Sequence, residues 1–328
     1  MTDKKKPLLV SALAGDSNRG SKNEILDFGE RIARYGIAKQ RAEGMKHFLT
    51  TEFLNAPQFD DRAAVAGAKL AGCGNYLVFN EYYTVGKIRL TQASFCKQHL
   101  ICPLCAIRRG AKSMGSYLDK WQVTKKENPG LKLSLVTLTV KNGPDLKERQ
   151  NHLDKSLKKY LRKRSDYAWG KRDAAKTELN KAAGAVYTKE ITNKGQGWHP
   201  HVHMLVASKE PIDQYALSRE WKAITGDSFI VDSRPVYGDP IDSFCEVFKY
   251  AVKFSDLSYS DNWQAACVLK GRRLLGSFGC FFGVKVPEAL TDELLEDLPF
   301  ITRLYRYLNG HYNVVSVTSP QSSFNPYP

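Results

Sequence analysis

Residues 185–207 read AVYTKEITNKGQGWHPHVHMLVA. Two apolar, strand-like runs, 185–192 and 198–207, flank the glycine-containing stretch NKGQG (193–197), which predicts a β-hairpin with a five-residue loop. Side chains alternate faces along a strand, so His199, His201 and His203 share one face while Pro200 and Val202 share the other. Three imidazoles on one face are hard to explain as packing, because each buried ring nitrogen needs a partner. Neutral imidazoles are good divalent-metal ligands, so this face is a candidate metal site. The turn folds Glu190 back alongside the histidines as a further ligand. Imidazole plus carboxylate suits Mg²⁺ or Mn²⁺. Register decides whether Glu190 faces the histidines or Thr188 and Lys189 take its place, and a carboxylate on a solvated strand face is the competing reading.

Outward from the hairpin, LSLVTLTV (133–140) reads as a buried strand, and helices are expected over 111–125, 145–183 (one or two), 211–225 and 242–254. A further strand is expected over 228–237, and 271–286 mixes glycines with strand-like residues. This order implies an α+β fold, a central antiparallel sheet carrying the histidines with flanking helices. Residues 1–70 read as a helical or partly ordered N-terminal region, 71–110 as a small cysteine-rich zinc-binding module, 111–290 as the catalytic domain and 291–328 as a tail, frayed after Pro320.

With 328 residues, 42% of them hydrophobic, the chain is globular. No stretch approaches the roughly 18 apolar residues of a membrane span. The apolar run Pro7–Ala14 is short and is followed by Asp16, Asn18 and Arg19, unlike a secretory signal, so the chain reads as cytoplasmic. The net charge is +15, and 19 Lys/Arg against 6 Asp/Glu fall between Lys97 and Arg172, whereas Asp292–Asp297 is locally acidic. A basic stripe of this kind attracts a polyanion, most commonly nucleic acid; a lysine-rich solvated surface is the alternative. Candidate DNA-binding residues are Arg108 and Arg109, with Lys158, Lys159, Arg162, Lys163 and Arg164 on the 145–183 helix. Trp169 and Trp198 are candidates either for stacking on bases or for the core.

Seven cysteines, an odd number, argue against a disulfide framework. Cys96, Cys102 and Cys105, with Cys73 upstream, offer four thiolates for a tetrahedral structural Zn²⁺, with His99 as a rival ligand and buried free thiols as the alternative. Cys245, Cys267 and Cys280 lack ligand spacing and read as packing residues.

In DSFCEVFKYAVKF (242–254), Glu246 and Tyr250 are four residues apart, on one face of a helix, flanked by Lys249 and Lys253. A phenol ionises near pH 10, and a neighbouring lysine such as Lys253, or a metal-held phosphate, favours the phenolate. Such a phenolate attacks a phosphodiester to give a phosphotyrosine, while a carboxylate beside it activates water instead. The competing reading is a core tyrosine with Glu246 in surface ion pairs.

HPHVH (199–203) followed by Glu246-x-x-x-Tyr250 resembles the plasmid rolling-circle replication initiators of the HUH endonuclease superfamily. FCKQHLICPLCAIRR (95–109), VTLTVKN (136–142), EWKAITGDSFIVDSRPV (220–236) and GRRLLGSFG (271–279) carry the same resemblance, which spans residues 73–285. It implies that His201 and His203 are paired metal ligands with His199 a neighbour. Tyr250 would nick one strand at a plasmid origin, remain on the 5′ phosphate and leave a 3′-OH primer. Glu246 would activate the water that ends a cycle, so no second catalytic tyrosine is needed. The implied partners are origin DNA, as a single-stranded or hairpin nick site with adjacent duplex, and host helicase and polymerase. A transposase or mobilisation nickase of the same superfamily is the alternative within this chemistry. A non-catalytic, zinc-containing DNA-binding regulator, or a hydrolase of small phosphoesters, is the alternative outside it.

Overall fold

The computed structural model describes residues 27–53, 61–296 and 298–318; the basic N-terminal run and the residues after Pro320 lie outside them. In chain order the elements begin with α1 (Phe28–His47), α2 (Asp61–Ala71), β1 (Tyr76–Tyr82), β2 (Lys87–Ala93), α3 (Pro103–Glu127), β3 (Lys132–Thr139) and α4 (Leu146–Ala168). They continue with β4 (Ala182–Asn193), β5 (Trp198–Ser208), α5 (Gln214–Thr225), β6 (Val231–Pro235) and α6 (Ile241–Phe248). A 3₁₀ segment (Lys249–Asp256) follows, then α7 (Tyr259–Leu269), β7 (Leu275–Gly279), β8 (Ile301–Leu308) and β9 (His311–Thr318). The fold is α+β with antiparallel sheets, as expected. Two compact units divide the chain: Met1–Lys112 with Pro287–Pro328, and Ser113–Val286.

The second unit is built on a five-stranded sheet in the order β6-β3-β5-β4-β7. Period-two alternation gives each strand two different faces. Val136, Leu138, Val202, Met204 and Val206 share one face and pack beneath Leu153, Leu157 and Tyr160 of α4 and Leu217 and Trp221 of α5. Trp221 is fully buried, and its indole donates to the Thr139 carbonyl at 2.6 Å, so the large ring is both packed and polar-satisfied. Truncating it to alanine would cost about 3–5 kcal/mol. On the other face, Thr188 donates to the Val247 carbonyl at 2.6 Å and seats α6 against β4. Behind α6, Phe248 packs on Tyr117, and Phe281 packs on Trp121.

The β4–β5 loop has four residues, 194–197, rather than five, because Asn193 and Trp198 already pair. Gly195 and Gly197 have φ of +81° and +86°, and a Cβ on Gly197 would lie 2.8 Å from the Gly143 carbonyl oxygen. Glycine is therefore required at the turn for conformation and for space.

In the first unit a four-stranded sheet runs β2-β1-β8-β9. Phe28 of α1 meets Phe79 and Tyr305 edge-on, with ring centroids 4.9 and 5.8 Å apart. Residues 301–318, read as tail, thus form half of this sheet. Nothing local announces it: β8 is only partly buried and its register partner β1 is far away in sequence. β2 and α7 were likewise unexpected, and α3 starts at Pro103, inside the cysteine segment, where proline suits a first helical turn.

Candidate metal centre

Glu190 on β4 stands directly opposite His201 on β5, while Thr188 faces His203 and Thr192 faces His199. The sequence leaves this register open: a five-residue loop, pairing Thr192 with Trp198, would set Lys189 opposite His201, whereas the pairing of Asn193 with Trp198 sets Glu190 there. Glu190 is fully buried, His201 nearly so, and the Nε2 atoms of His201 and His203 lie 3.3 and 3.5 Å from the same Glu190 oxygen, Oε2. One ligating atom from each of Glu190, His201 and His203 falls within 4.8 Å of the others.

The remaining ring nitrogens are held from behind. His201 Nδ1 donates to the His199 carbonyl at 3.1 Å, which holds the ring with Nε2 turned toward Glu190. His203 Nδ1 lies 3.0 Å from the Thr137 hydroxyl on β3. Thr137 escaped the sequence reading, although its alternation with Val136 and Leu138 puts it on the histidine face. Glu190 Oε1 is buried without a hydrogen-bond partner. Burial pushes the Glu190 carboxyl up, but the hydrogen bonds and charge of His201 and His203 outweigh this and hold it well below the usual carboxylate range. An orphaned carboxylate oxygen beside two oriented imidazoles fits a divalent cation. His199 is not brought into this set. Its ring packs on His201 at 5.4 Å, and burial, followed by the neighbouring His201, pushes it down.

Lys253 Nζ lies 3.9 Å from Glu190 Oε2, so the 3₁₀ segment reaches the centre. The single helix expected over 242–254 is in fact α6 followed by this tighter turn. The change at Lys249 moves the Tyr250 position off the face that an unbroken α-helix would give it relative to Glu246. Tyr250 and Lys253 lie three residues apart within this same 3₁₀ segment. The Tyr250 side chain lies outside the described part of the structure. Glu246 pairs with Lys249, whose side chain is 8% exposed.

In the first unit Cys73, Cys96, Cys102 and Cys105 converge, with sulfur separations of 3.5 Å for Cys73–Cys102 and 3.6 Å for Cys73–Cys105 and Cys96–Cys105. Cys102 precedes α3 and Cys105 lies in its first turn, where the helix dipole favours thiolates. Within the cluster, hydrogen bonds from Cys102, Cys105 and Cys73 push the Cys96 thiol far down. The other thiols and burial push Cys102 up; for Cys105 the Cys102 bond lowers it, but Cys73, Cys96 and burial outweigh this, as for one thiolate shared among several thiols. Four sulfurs this close, three of them buried, fit a tetrahedral structural metal better than free packing thiols. His99 is outside the set. Cys245 instead packs its sulfur on Met114.

The basic residues separate into two groups. Lys158, Lys159, Arg162 and Lys163 are exposed along α4. Arg109 is partly exposed and donates to the Pro287 carbonyl. Arg108, expected on DNA, is 1% exposed, bonds the Leu290 carbonyl, Tyr35 and Asp292, and is structural. Arg164 is likewise turned inward, donating to the carbonyls of Leu179 and Ala182 and lying 4.1 Å from the Phe278 ring centroid. A basic run does not reveal which members point inward; here helical phase and distant acceptors decide. Trp198 is core and Trp169 is 77% exposed. Among the described residues no helix is long and apolar enough to cross a membrane.

The sequence profile of a family described as "Replication protein" matches residues 87–303, a segment that carries Glu190, His201, His203, Tyr250 and three of the four clustered cysteines. The chain belongs to this family. A "Protein rep" of Streptococcus pneumoniae serotype 2 (strain D39 / NCTC 7466) is 32% identical over 175 residues, 50% of this chain and 50% of that protein. A "Protein rep" of Bacillus sp is 28% identical over 190 residues, 56% of each chain. One of Lactiplantibacillus plantarum is 26% identical over 249 residues, 69% of this chain and 74% of its own length. The chain spans about half the length of the first two relatives. No solved structure matches it.

Proposed function

We propose that the chain is a plasmid rolling-circle replication initiator that nicks one strand of origin DNA through a 5′-phosphotyrosine on Tyr250 and later transfers or releases that strand. The observation that carries this reading is the convergence of Glu190, His201 and His203, with one carboxylate oxygen buried and unpartnered, in a chain of the replication-protein family. These three residues would hold Mg²⁺ or Mn²⁺, which when bound polarises the scissile phosphate as a Lewis acid. The Tyr250 oxygen forms the new bond to phosphorus as the 3′ oxygen departs, takes up a proton and becomes the primer hydroxyl. Lys253, beside Glu190 and one turn from Tyr250, favours loss of the phenol proton by its charge. For termination, Glu246 accepts a proton from water, the water oxygen bonds to phosphorus, and the tyrosine leaves and is reprotonated.

The Cys73, Cys96, Cys102 and Cys105 cluster would hold a structural Zn²⁺. Exposed Lys158, Lys159, Arg162 and Lys163 on α4 would neutralise phosphates of origin DNA away from the nick itself, and Arg109 is a further candidate in the first unit. The 3′-OH left by nicking suits a host helicase and polymerase as partners in the bacterial cytoplasm.

The test is covalent capture. Protein incubated with single-stranded origin DNA and Mn²⁺ should give an adduct stable on denaturing gels, absent from Tyr250→Phe. An adduct that persists in that variant removes Tyr250 as nucleophile. Glu246→Ala should still form the adduct and fail to release it by hydrolysis; normal release would refute the second role.

A further inference from the structure

Helix α4 ends at Ala168, and its C-cap residue Trp169 leaves 77% of its surface exposed. Beyond it, residues 170–177 turn back beside the last turns of α4 and against α5, enclosing an open cavity of about 420 Å³. That volume falls within the range of ordinary small-ligand sites. The cavity is lined by Tyr160 and Ile224 below and by Lys163, Lys171, Arg172 and Lys176 at its mouth.

Two of the three acids lining this cavity are engaged, and the third, Asp173, is open. Glu220 accepts from the Tyr160 hydroxyl at 2.5 Å and from the Glu178 amide at 2.9 and 3.0 Å. Asp166 pairs with Lys171 at 2.6 Å and with Arg162 at 3.7 Å. Lys163 and Lys176 are exposed and have no ion pair among the described residues. Arg172, 96% exposed, has only a 3.8 Å contact with the equally open Asp173. With Asp166, Asp173 and Glu220 also in the lining, the four basic residues leave the cavity positive by one charge, with Lys163 and Lys176 unpaired among the described residues. Lys171, which lines the cavity, also lies 5.8 Å from the centroid of the Trp169 ring.

A large indole left open to water at the end of a basic helix contributes little to folding, and its ring offers a stacking platform. Basic side chains next to an exposed aromatic face are the elements that hold an unpaired strand, the charges tracking phosphates while a base stacks on the ring. A duplex keeps its base faces covered and would use only the charges. We propose that this end of α4 is a binding site for single-stranded DNA, with a base on Trp169 and neighbouring phosphates on Lys163, Arg172 and Lys176. The site belongs to helices packed on the sheet face opposite the histidines, so it is separate from the metal centre. The proposal rests on DNA as the substrate of the chain but not on the nicking chemistry of Tyr250.

The experiment measures binding of a fluorescein-labelled oligothymidylate of about 12 nucleotides, and of a duplex of equal length, by anisotropy over a salt series. Trp169→Ala should weaken single-strand binding about tenfold and leave duplex binding unchanged. Trp169→Phe should retain most of the affinity, because the ring is retained. Replacing both Lys163 and Lys176 by glutamine should lower the slope of log affinity against log salt by about 1.4 for the single strand. Full single-strand affinity in Trp169→Ala, or equal loss for single strand and duplex, would overturn the proposal. Failure of the nicking reading would appear instead as an unaltered adduct in Tyr250→Phe, with oligothymidylate binding unaffected.

Discussion

Glu190 and His201 face each other across the β4–β5 pair, 3.3 Å apart at Oε2 and Nε2, and His203 approaches the same oxygen at 3.5 Å. The second carboxylate oxygen, Oε1, is buried with nothing to bond. A buried acceptor left unmatched costs on the order of 1–3 kcal/mol, a cost that a cation in this place would remove.

Glu190→Ala should therefore weaken Mn²⁺ binding by about 100-fold or more, the upper end of what loss of an outer-shell partner does. Titration followed by the paramagnetic signal of free Mn²⁺ measures this. Wild-type affinity in the variant would exclude Glu190 as a ligand.

Thr137 acts through His203. Thr137→Val keeps the shape but removes the hydroxyl 3.0 Å from Nδ1, and should weaken the same titration by about tenfold. Thr137→Ser should restore it. Equal affinity in the valine variant would mean that the contact does not orient the ring.

Asp292 gathers Arg108 at 2.5 Å, Lys112 at 3.2 Å and Arg31 at 3.4 Å in the first unit. Burial pushes its carboxyl up, but the three cations outweigh this and hold it far below the usual range. A depressed folded pKa contributes stability that is complete above the unfolded value of about 3.9 and fades as pH falls through the folded one. Asp292→Asn should cost about 3 kcal/mol near neutral pH, with the difference from wild type narrowing below about pH 4. Urea unfolding across pH reads both; a constant difference down to about pH 2 would contradict the linkage.

The inward and outward arginines and lysines should separate in DNA-binding assays. Lys158→Gln and Lys159→Gln should each reduce the salt slope on duplex DNA by about 0.9 with little change in melting temperature. Arg164→Gln should lower the melting temperature and leave the slope alone, because its partners are the carbonyls of Leu179 and Ala182.

Cys102→Ser should purify with reduced zinc and melt earlier, since a structural metal contributes to folding free energy directly. A full complement of zinc in that variant would remove Cys102 from the ligand set.

The hairpin and its histidine face were readable from sequence because their information is local, in the alternation and the glycine turn; the register that puts Glu190 opposite His201 was not, since it depends on whether Asn193 belongs to the loop or to β4. The cysteine cluster was readable from close spacing plus one upstream thiol. Three further features were not. The 3₁₀ turn after Phe248 replaces a helical pattern that continues unbroken in the residues. The fate of Arg108 depends on Asp292, which the sequence places only in a locally acidic part of the tail. The β1–β8 pairing joins strands from opposite ends of the chain, for which alternation in either strand gives no sign.

Because all three candidate ligands sit on one hairpin with a four-residue loop, the donor set has very low contact order. Closing such a loop costs little chain entropy, and isolated hairpins form in about 1–10 μs. The β1–β8 pairing, between residues 76–82 and 301–308, closes a far longer loop and is correspondingly slower to form. The candidate centre can therefore assemble from one local stretch of chain, whereas the sheet of the first unit joins strands far apart in sequence.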